Sequence, residues 1–228
     1  MCRGTAEVKG TFPEPVHILM IYAHKGGRNG MGILIDGGIA LEGEVDIQSS
    51  KNAALPMLAG ALLARGTTAL VHCPQISDVY HMIELMEELG CRIWWESDTL
   101  YVNTEQLVSC EITKGAASKM RSSVTFLGSL LGRCAEAEIP YPGGCVIGRR
   151  PIDLHIKGLE CLGVHFELDH DGIHAQTHGL HGADIALSYP SVGATENLML
   201  AAALADGVTH ITGCAIEPEV VELGRFLN

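Results

Sequence analysis

Three kinds of hydrophobic pattern alternate along the chain. Residues 53–64 and 198–205 are apolar all the way round a helical wheel, and such helices must be buried on every side. A second kind has apolar positions at helical spacing on one face only. Val79, Met82, Ile83, Met86 and Leu89 are set against Glu84, Glu87 and Glu88, a charge run that belongs to a solvated face. Glycine follows the last apolar residue of such helices, at Gly90 and Gly163, where it supplies a left-handed cap. The third kind is strict alternation, predicting hairpins from 92–96 with 100–103 and from 164–168 with 173–177 around Asp171-Gly172.

These patterns recur about every 70 residues, in the order buried helix, strand, amphipathic helix, hairpin. The first copy runs from 53, with a strand at 68–72 and a helix opened by Asp78. The second has a helix over 124–133, a strand at 137–141 and a helix opened by Asp153. The third has a helix over 197–206, a strand at 209–212 and a last helix opened by Glu217-Pro218-Glu219. One polar face per hairpin places sheets outside and helices inside, the reverse of usual α/β layering. The expected fold is an α/β inside-out barrel domain of three βαβαββ-like repeats, the third truncated at Asn228, with an open sheet edge and uncovered helix surface there. Residues 1–30 lack a sustained period, contain Pro13 and Pro15, and end Gly-rich, which predicts a floppy extension and a domain over 31–228 starting at Met31.

Composition narrows the partners. Among 228 residues, 15 Lys+Arg face 27 Asp+Glu, and a net charge of −12 repels phosphate backbones and anionic lipid, so neither nucleic acid nor membrane is an expected partner. No apolar run reaches the roughly 18 residues of a membrane helix, and residues 16–23 lack the flanks of a signal peptide. Eight scattered cysteines without a CxxC pair predict reduced thiols and a cytoplasmic location, most of them acting as small buried hydrophobes.

Candidate chemistry gathers in four stretches. Residues 142–155, Pro-Gly-Gly-Cys-Val-Ile-Gly-Arg-Arg-Pro-Ile-Asp-Leu-His, are inserted between strand and helix in the second copy only. Gly143 and Gly144 allow close backbone approach to a ligand, and Arg149 and Arg150 offer forked donors and favour thiolate at Cys145. A Gly-rich turn holding a buried cysteine fits the spacing equally well. Ser49-Ser50-Lys51-Asn52 and Lys119-Met120-Arg121-Ser122-Ser123 each open a buried helix, whose free amides and positive potential attract anions. Each alone reads as a plain cap with a solvated cation. Convergence comes from the repeat, which puts them, with residues 189–197 of the third copy, at equivalent ends where they can ring one mouth. Five histidines between His165 and His181 do not read as metal ligands, because His174 and His178 alternate with Ile173, Ala175 and Thr177 on a polar strand face.

Residues 50–56 (Ser-Lys-Asn-Ala-Ala-Leu-Pro), 120–123 (Met-Arg-Ser-Ser), the 142–155 loop and 190–197 (Pro-Ser-Val-Gly-Ala-Thr-Glu-Asn) resemble, in order, the bacterial UDP-N-acetylglucosamine 1-carboxyvinyltransferases. The likeness runs from about Met31 to the end, and the long loop separates this family from the shikimate-pathway enolpyruvyl transferases of the same fold. It implies two similar domains of three repeats with substrates in the cleft between them, of which this chain resembles the one bearing the cysteine loop. The implied reaction moves the enolpyruvyl group of phosphoenolpyruvate to the 3′-hydroxyl of UDP-N-acetylglucosamine, releasing phosphate, without metal or cofactor, to open peptidoglycan synthesis.

By that resemblance Cys145 is the proton donor and the thiol alkylated by fosfomycin, while Lys51, Arg121 and Arg150 hold phosphate and carboxylate. Asn52 orients the sugar, and Arg150, Pro151, Ile152, Asp153 and Leu154 with Ser191, Val192 and Gly193 line the nucleotide. Ser50 and Arg149 stand where relatives often have a small residue. The second domain, which in relatives adds an aspartate and further arginines, has no counterpart in this chain, so turnover by the chain alone is expected to be very slow or nil. Against the enzyme reading stands a truncated fragment or binding module that holds UDP-sugar without turnover.

Overall fold

The computed structural model describes residues 22–26, 30–34, 47–113, 121–140, 152–170 and 172–228. The chain divides into two compact units, 1–48 and 49–228. In the first, strand β1 (Tyr22–Gly26) pairs antiparallel with β2 (Gly30–Leu34), Tyr22 opposite Leu34 and Gly26 opposite Gly30. Tyr22–Gly26, within the stretch expected to be a floppy extension, is strand β1 of this pair.

The second unit repeats a helix, strand, helix order three times. The first repeat has α1 (Lys51–Ala61), β3 (Thr67–Leu70), α2 (Ser77–Glu88), β4 (Arg92–Glu96) and β5 (Thr99–Asn103). The second has a 3-10 turn (Arg121–Thr125) running into α3 (Phe126–Cys134), then β6 (Glu136–Ile139), α4 (Asp153–Cys161), β7 (Val164–Leu168) and β8 (Ile173–Thr177). The third has β9 (Asp184–Ala186), α5 (Val192–Ala202), β10 (His210–Thr212) and α6 (Pro218–Phe226).

Helices α1, α3 and α5 form the centre, each contributing a fully buried leucine, Leu58, Leu130 and Leu198. Three glycines let them approach. A Cβ on Gly128 of α3 would enter the backbone of Asn197 on α5, and one on Gly60 of α1 would press on Leu200 of α5 and Phe226 of α6. Gly132 of α3 lies against Leu63, just past α1, and Leu204, just past α5. The C-terminal ends of the three central helices therefore meet, and the helices run parallel.

The sheets lie outside them, as the alternation predicts. Strand order is β3-β5-β4 in one sheet and β6-β8-β7 in the next, antiparallel throughout. Strand β8 turns Ile173, Ala175 and Thr177 inward and leaves Gln176 in solvent. On the outer face of the first sheet Trp94 stacks on Tyr101 at 5.3 Å. A parallel bridge, Glu111 to Glu138, adds a leading segment to β6, as β9 adds to β10, so the leading strand belongs to the repeat. Among the described residues β10 pairs only with β9, and exposed Val208, Ile216 and Val221 lie in this repeat. No described helix is long and apolar enough to cross a membrane.

Boundaries shift where side chains interfere. Strand β3 stops at Leu70, and His72 takes a left-handed conformation (φ 57°) and pairs with Asp98 instead of extending the strand. Strand β6 ends at Ile139, because Pro140 has no amide for the ladder. The helix expected from 197 starts at Val192, capped by the Ser191 hydroxyl, which accepts from the Ala194 amide at 3.4 Å, and ends at Ala202. The helix expected over 124–133 is a 3-10 turn to Thr125 and an α-helix only from Phe126.

Candidate active site

The six described helices of the second unit aim their N-terminal ends the same way. Lys51, the first residue of α1, pairs through Nζ with Asp78 Oδ2 in the first turn of α2 at 2.8 Å. The His155 imidazole, in the first turn of α4, lies beside Gly193 in the first turn of α5. Thr195 Oγ1 of α5 donates to the Ser191 carbonyl and accepts from the Ala215 amide, just before α6, whose far end, Phe226, reaches Gly60 at the far end of α1. Free first-turn amides and aligned peptide dipoles thus converge on one mouth, a place that stabilises anions.

One side chain ties this mouth together. Asn197 on α5 is fully buried, and its amide group makes three hydrogen bonds. Its Nδ2 donates to the Val124 carbonyl in the 3-10 turn and to His155 Nδ1 on α4, both at 3.0 Å. Its Oδ1 accepts from the Gly128 amide in the first turn of α3 at 2.6 Å. Since His155 Nδ1 accepts, the imidazole proton sits on Nε2, the nitrogen nearer Gly193. Three elements bearing candidate residues are thereby fixed to one amide.

The sequence candidates divide into two groups. Lys51 and Asn52 open α1 with exposed side chains, and Arg121 opens the 3-10 turn, which packs on α1, α2 and α5. Ile152 is the N-cap of α4 and Asp153 its first residue, with Asp153 exposed and 3.9 Å from Lys157, while Leu154 is buried. Ser191, Val192 and Gly193 are half-buried at the start of α5. Cys145, Arg149, Arg150 and Pro151 lie outside the described residues, in the stretch between β6 and the N-terminal end of α4.

Two polar residues at the mouth carry no assignment from sequence. Besides Asn197, Glu196 is buried on α5, with Oε1 unpartnered among the described residues, and burial together with the charges of Glu219 and Glu217 pushes its carboxyl up to about 7. Their signal is present in the chain, for Thr195-Glu196-Asn197 is a polar run inside a helix otherwise apolar on every side. The expected burial of most cysteines is also corrected. Among described thiols Cys73 and Cys91 are buried, Cys110, Cys134 and Cys214 are half-buried and Cys161 is exposed.

A family model described as EPSP synthase (3-phosphoshikimate 1-carboxyvinyltransferase) matches residues 35–228. UDP-N-acetylglucosamine 1-carboxyvinyltransferase 2 of Carboxydothermus hydrogenoformans is 46% identical over 195 residues, covering 86% of this chain and 46% of the relative. The UDP-N-acetylglucosamine 1-carboxyvinyltransferase of Corynebacterium jeikeium is 41% identical over 194 residues, with 85% of this chain and 46% of its own covered. The chain therefore spans about half the length of the curated relatives it matches. Among solved structures, the enolpyruvyl transferase NikO from Streptomyces tendae superposes with a TM-score of 0.70 at 18% identity, over 79% of this chain and 42% of that one. An EPSP synthase from Acinetobacter baumannii gives 0.55 at 16% identity, over 75% and 40%. At such identities the superpositions establish a shared enolpyruvyl-transferase fold.

Proposed function

The chain belongs to the EPSP synthase family, and from that premise we propose that it is the cysteine-loop half of an enzyme moving the enolpyruvyl group of phosphoenolpyruvate to the 3′-hydroxyl of UDP-N-acetylglucosamine. The observation that carries the reading is the mouth, where six helix N-termini and the first-turn cation Lys51 face the same way. A phosphate ester and a nucleotide diphosphate are the anions such a mouth suits. The relatives named for this reaction support the sugar nucleotide as acceptor.

In the reaction a proton adds to the methylene carbon of phosphoenolpyruvate while the sugar oxygen bonds to C2. Loss of that proton and cleavage of the C2–O bond then release inorganic phosphate. Cys145 is the proposed proton donor, on the stretch that leads into α4 at the mouth. Lys51, Arg121 and Arg150 are the proposed counter-charges for phosphate and carboxylate, with forked guanidinium geometry suiting both. Asn52 is assigned to the sugar, and Pro151 to Leu154 with Ser191 to Gly193 to the nucleotide. The second domain of a full-length enzyme is proposed to supply the base for the sugar hydroxyl, so this reading places the pathway in cell-wall synthesis and the catalyst in a longer protein.

Phosphate release from phosphoenolpyruvate plus UDP-N-acetylglucosamine, measured on this chain with and without a second domain added in trans, tests the proposal. Release that appears only with both halves supports it; heat of UDP-sugar binding without release under either condition favours the binding module. Fosfomycin should modify the chain covalently at Cys145, with labelling abolished in Cys145→Ser and retained in Cys161→Ser. Labelling that survives Cys145→Ser would overturn the assignment of the thiol.

A further inference from the structure

The cation that opens α1 stands where its own helix does not favour it. Lys51 is the first residue of α1, at the positive end of the aligned peptide dipoles, with no acidic residue in that first turn and no side-chain cap from Ser50. Its charge is met from the neighbouring helix instead. Asp78, in the first turn of α2, places Oδ2 2.8 Å from Lys51 Nζ. The backbone under both side chains is fixed by packing, since Ala54 and Leu55 are buried on α1, Val79 is fully buried on α2, and the two helices lie against each other.

The second repeat shows that this crossing is not dictated by the helix pattern. Asp153 likewise opens the second helix of its repeat, but its cation, Lys157 at 3.9 Å, lies one turn further along the same helix. In α2 the position one turn after Asp78 is Met82, fully buried and without charge. Among the described residues Lys51 is therefore the ion-pair partner of Asp78. We propose that Asp78 is a positioning residue for the mouth: its carboxylate takes one hydrogen of the Lys51 ammonium and aims the others at a bound phosphate or carboxylate. The proposal deepens the transferase reading and rests on it, because the anions concerned are phosphoenolpyruvate and the diphosphate of the sugar nucleotide.

What Asp78 contributes is order before binding. A lysine carries its charge on a long flexible stem, and a ligand that must first immobilise that stem loses affinity. An ammonium already held at the mouth spares the ligand that loss. The pair does not sequester the lysine, because its side chains are 49% and 32% exposed and water screens their attraction. Coulomb's law alone argues the opposite way. A carboxylate beside an anion site repels the ligand, so its removal should tighten binding. The sign of the change therefore separates positioning from plain electrostatics.

The test is calorimetric titration of the full chain with phosphoenolpyruvate and with UDP-N-acetylglucosamine, in wild type, Asp78→Ala, Asp78→Glu, Lys51→Ala and the double variant Lys51→Ala/Asp78→Ala. Asp78→Ala should weaken binding about fivefold, the most that a half-exposed pair of this kind carries. Asp78→Glu, which keeps a carboxylate within reach of Nζ, should recover most of that loss. The double variant should bind no more weakly than Lys51→Ala, because Asp78 acts only through the lysine. Binding by Asp78→Ala as tight as wild type or tighter would overturn the proposal, leaving Asp78 as a first-turn acid of α2 that shows only in a lower melting temperature. An equal loss in the Lys51→Ala background, or no recovery in Asp78→Glu, would overturn it as well. Wild type that binds neither ligand would bring down the transferase reading of the mouth and this proposal with it, a result distinct from failure of the variants alone.

Discussion

Glu196 holds a carboxyl where burial and two neighbouring glutamates oppose its charge, at about 7 instead of the usual 4.5. Between those values the folded chain keeps a proton that the unfolded chain has shed, so the group's contribution to stability declines as pH rises from about 4.5 to 7 and is constant above. Glu196→Gln, which mimics the protonated acid, removes that decline. The melting temperature of the variant should match wild type near pH 4 and exceed it at pH 8, by an amount worth about 3 kcal/mol at most. A difference that does not change with pH would show that Glu196 is not the titrating group. The position is legible as a polar interruption in an apolar helix, but its neighbours Glu217 and Glu219 lie too far along the chain to be paired with it before folding.

At the scale of elements, Asn197 substitutes for what the helices cannot provide themselves. A first-turn amide of α3 has its acceptor on α5, and α4 is held through His155, so three helix starts share one register. Asn197→Leu keeps the branched outline of the side chain, though with bulkier methyl ends, and leaves the Gly128 amide, the Val124 carbonyl and the His155 nitrogen without this partner. The expected loss is about 3 kcal/mol in chemical unfolding, with UDP-sugar affinity reduced even where the variant is fully folded. Unchanged affinity in folded protein would limit Asn197 to a packing role. The hairpin strands 92–96, 164–168 and 173–177 are legible to the residue, because alternation with a turn leaves little freedom. The starts of α3 and α5 are not. Hydroxyl and β-branched residues at Ser122, Ser123, Val124 and Thr125 favour a tighter turn, and Gly193 hides the first turn of a helix whose true beginning is the Ser191 cap.

For the whole molecule, a net charge of −12 argues against anion binding, and only the local field at the mouth reverses it. Lys51 is the described cation on which this rests. Its pair with Asp78 is half exposed, so it contributes below about 1 kcal/mol to the fold and leaves Nζ available to a ligand. Lys51→Ala should therefore weaken binding of phosphoenolpyruvate or UDP-N-acetylglucosamine, followed by calorimetry, about tenfold with a nearly unchanged melting temperature. Equal binding in the variant would count against the mouth as the anion site. The repeat makes this end legible from sequence; the parallel arrangement of α1, α3 and α5 is not, because it depends on glycines meeting side chains from other repeats.

Those glycine contacts near Leu63, Gly132 and Leu204 have a mechanical corollary. They act as the hub of a tripod whose feet are the three central first turns, so a fraction of an ångström gained at the hub is magnified along each leg. Enlarging a side chain there would splay the feet and loosen the grip on a ligand roughly a helix length away, without touching any residue that meets it.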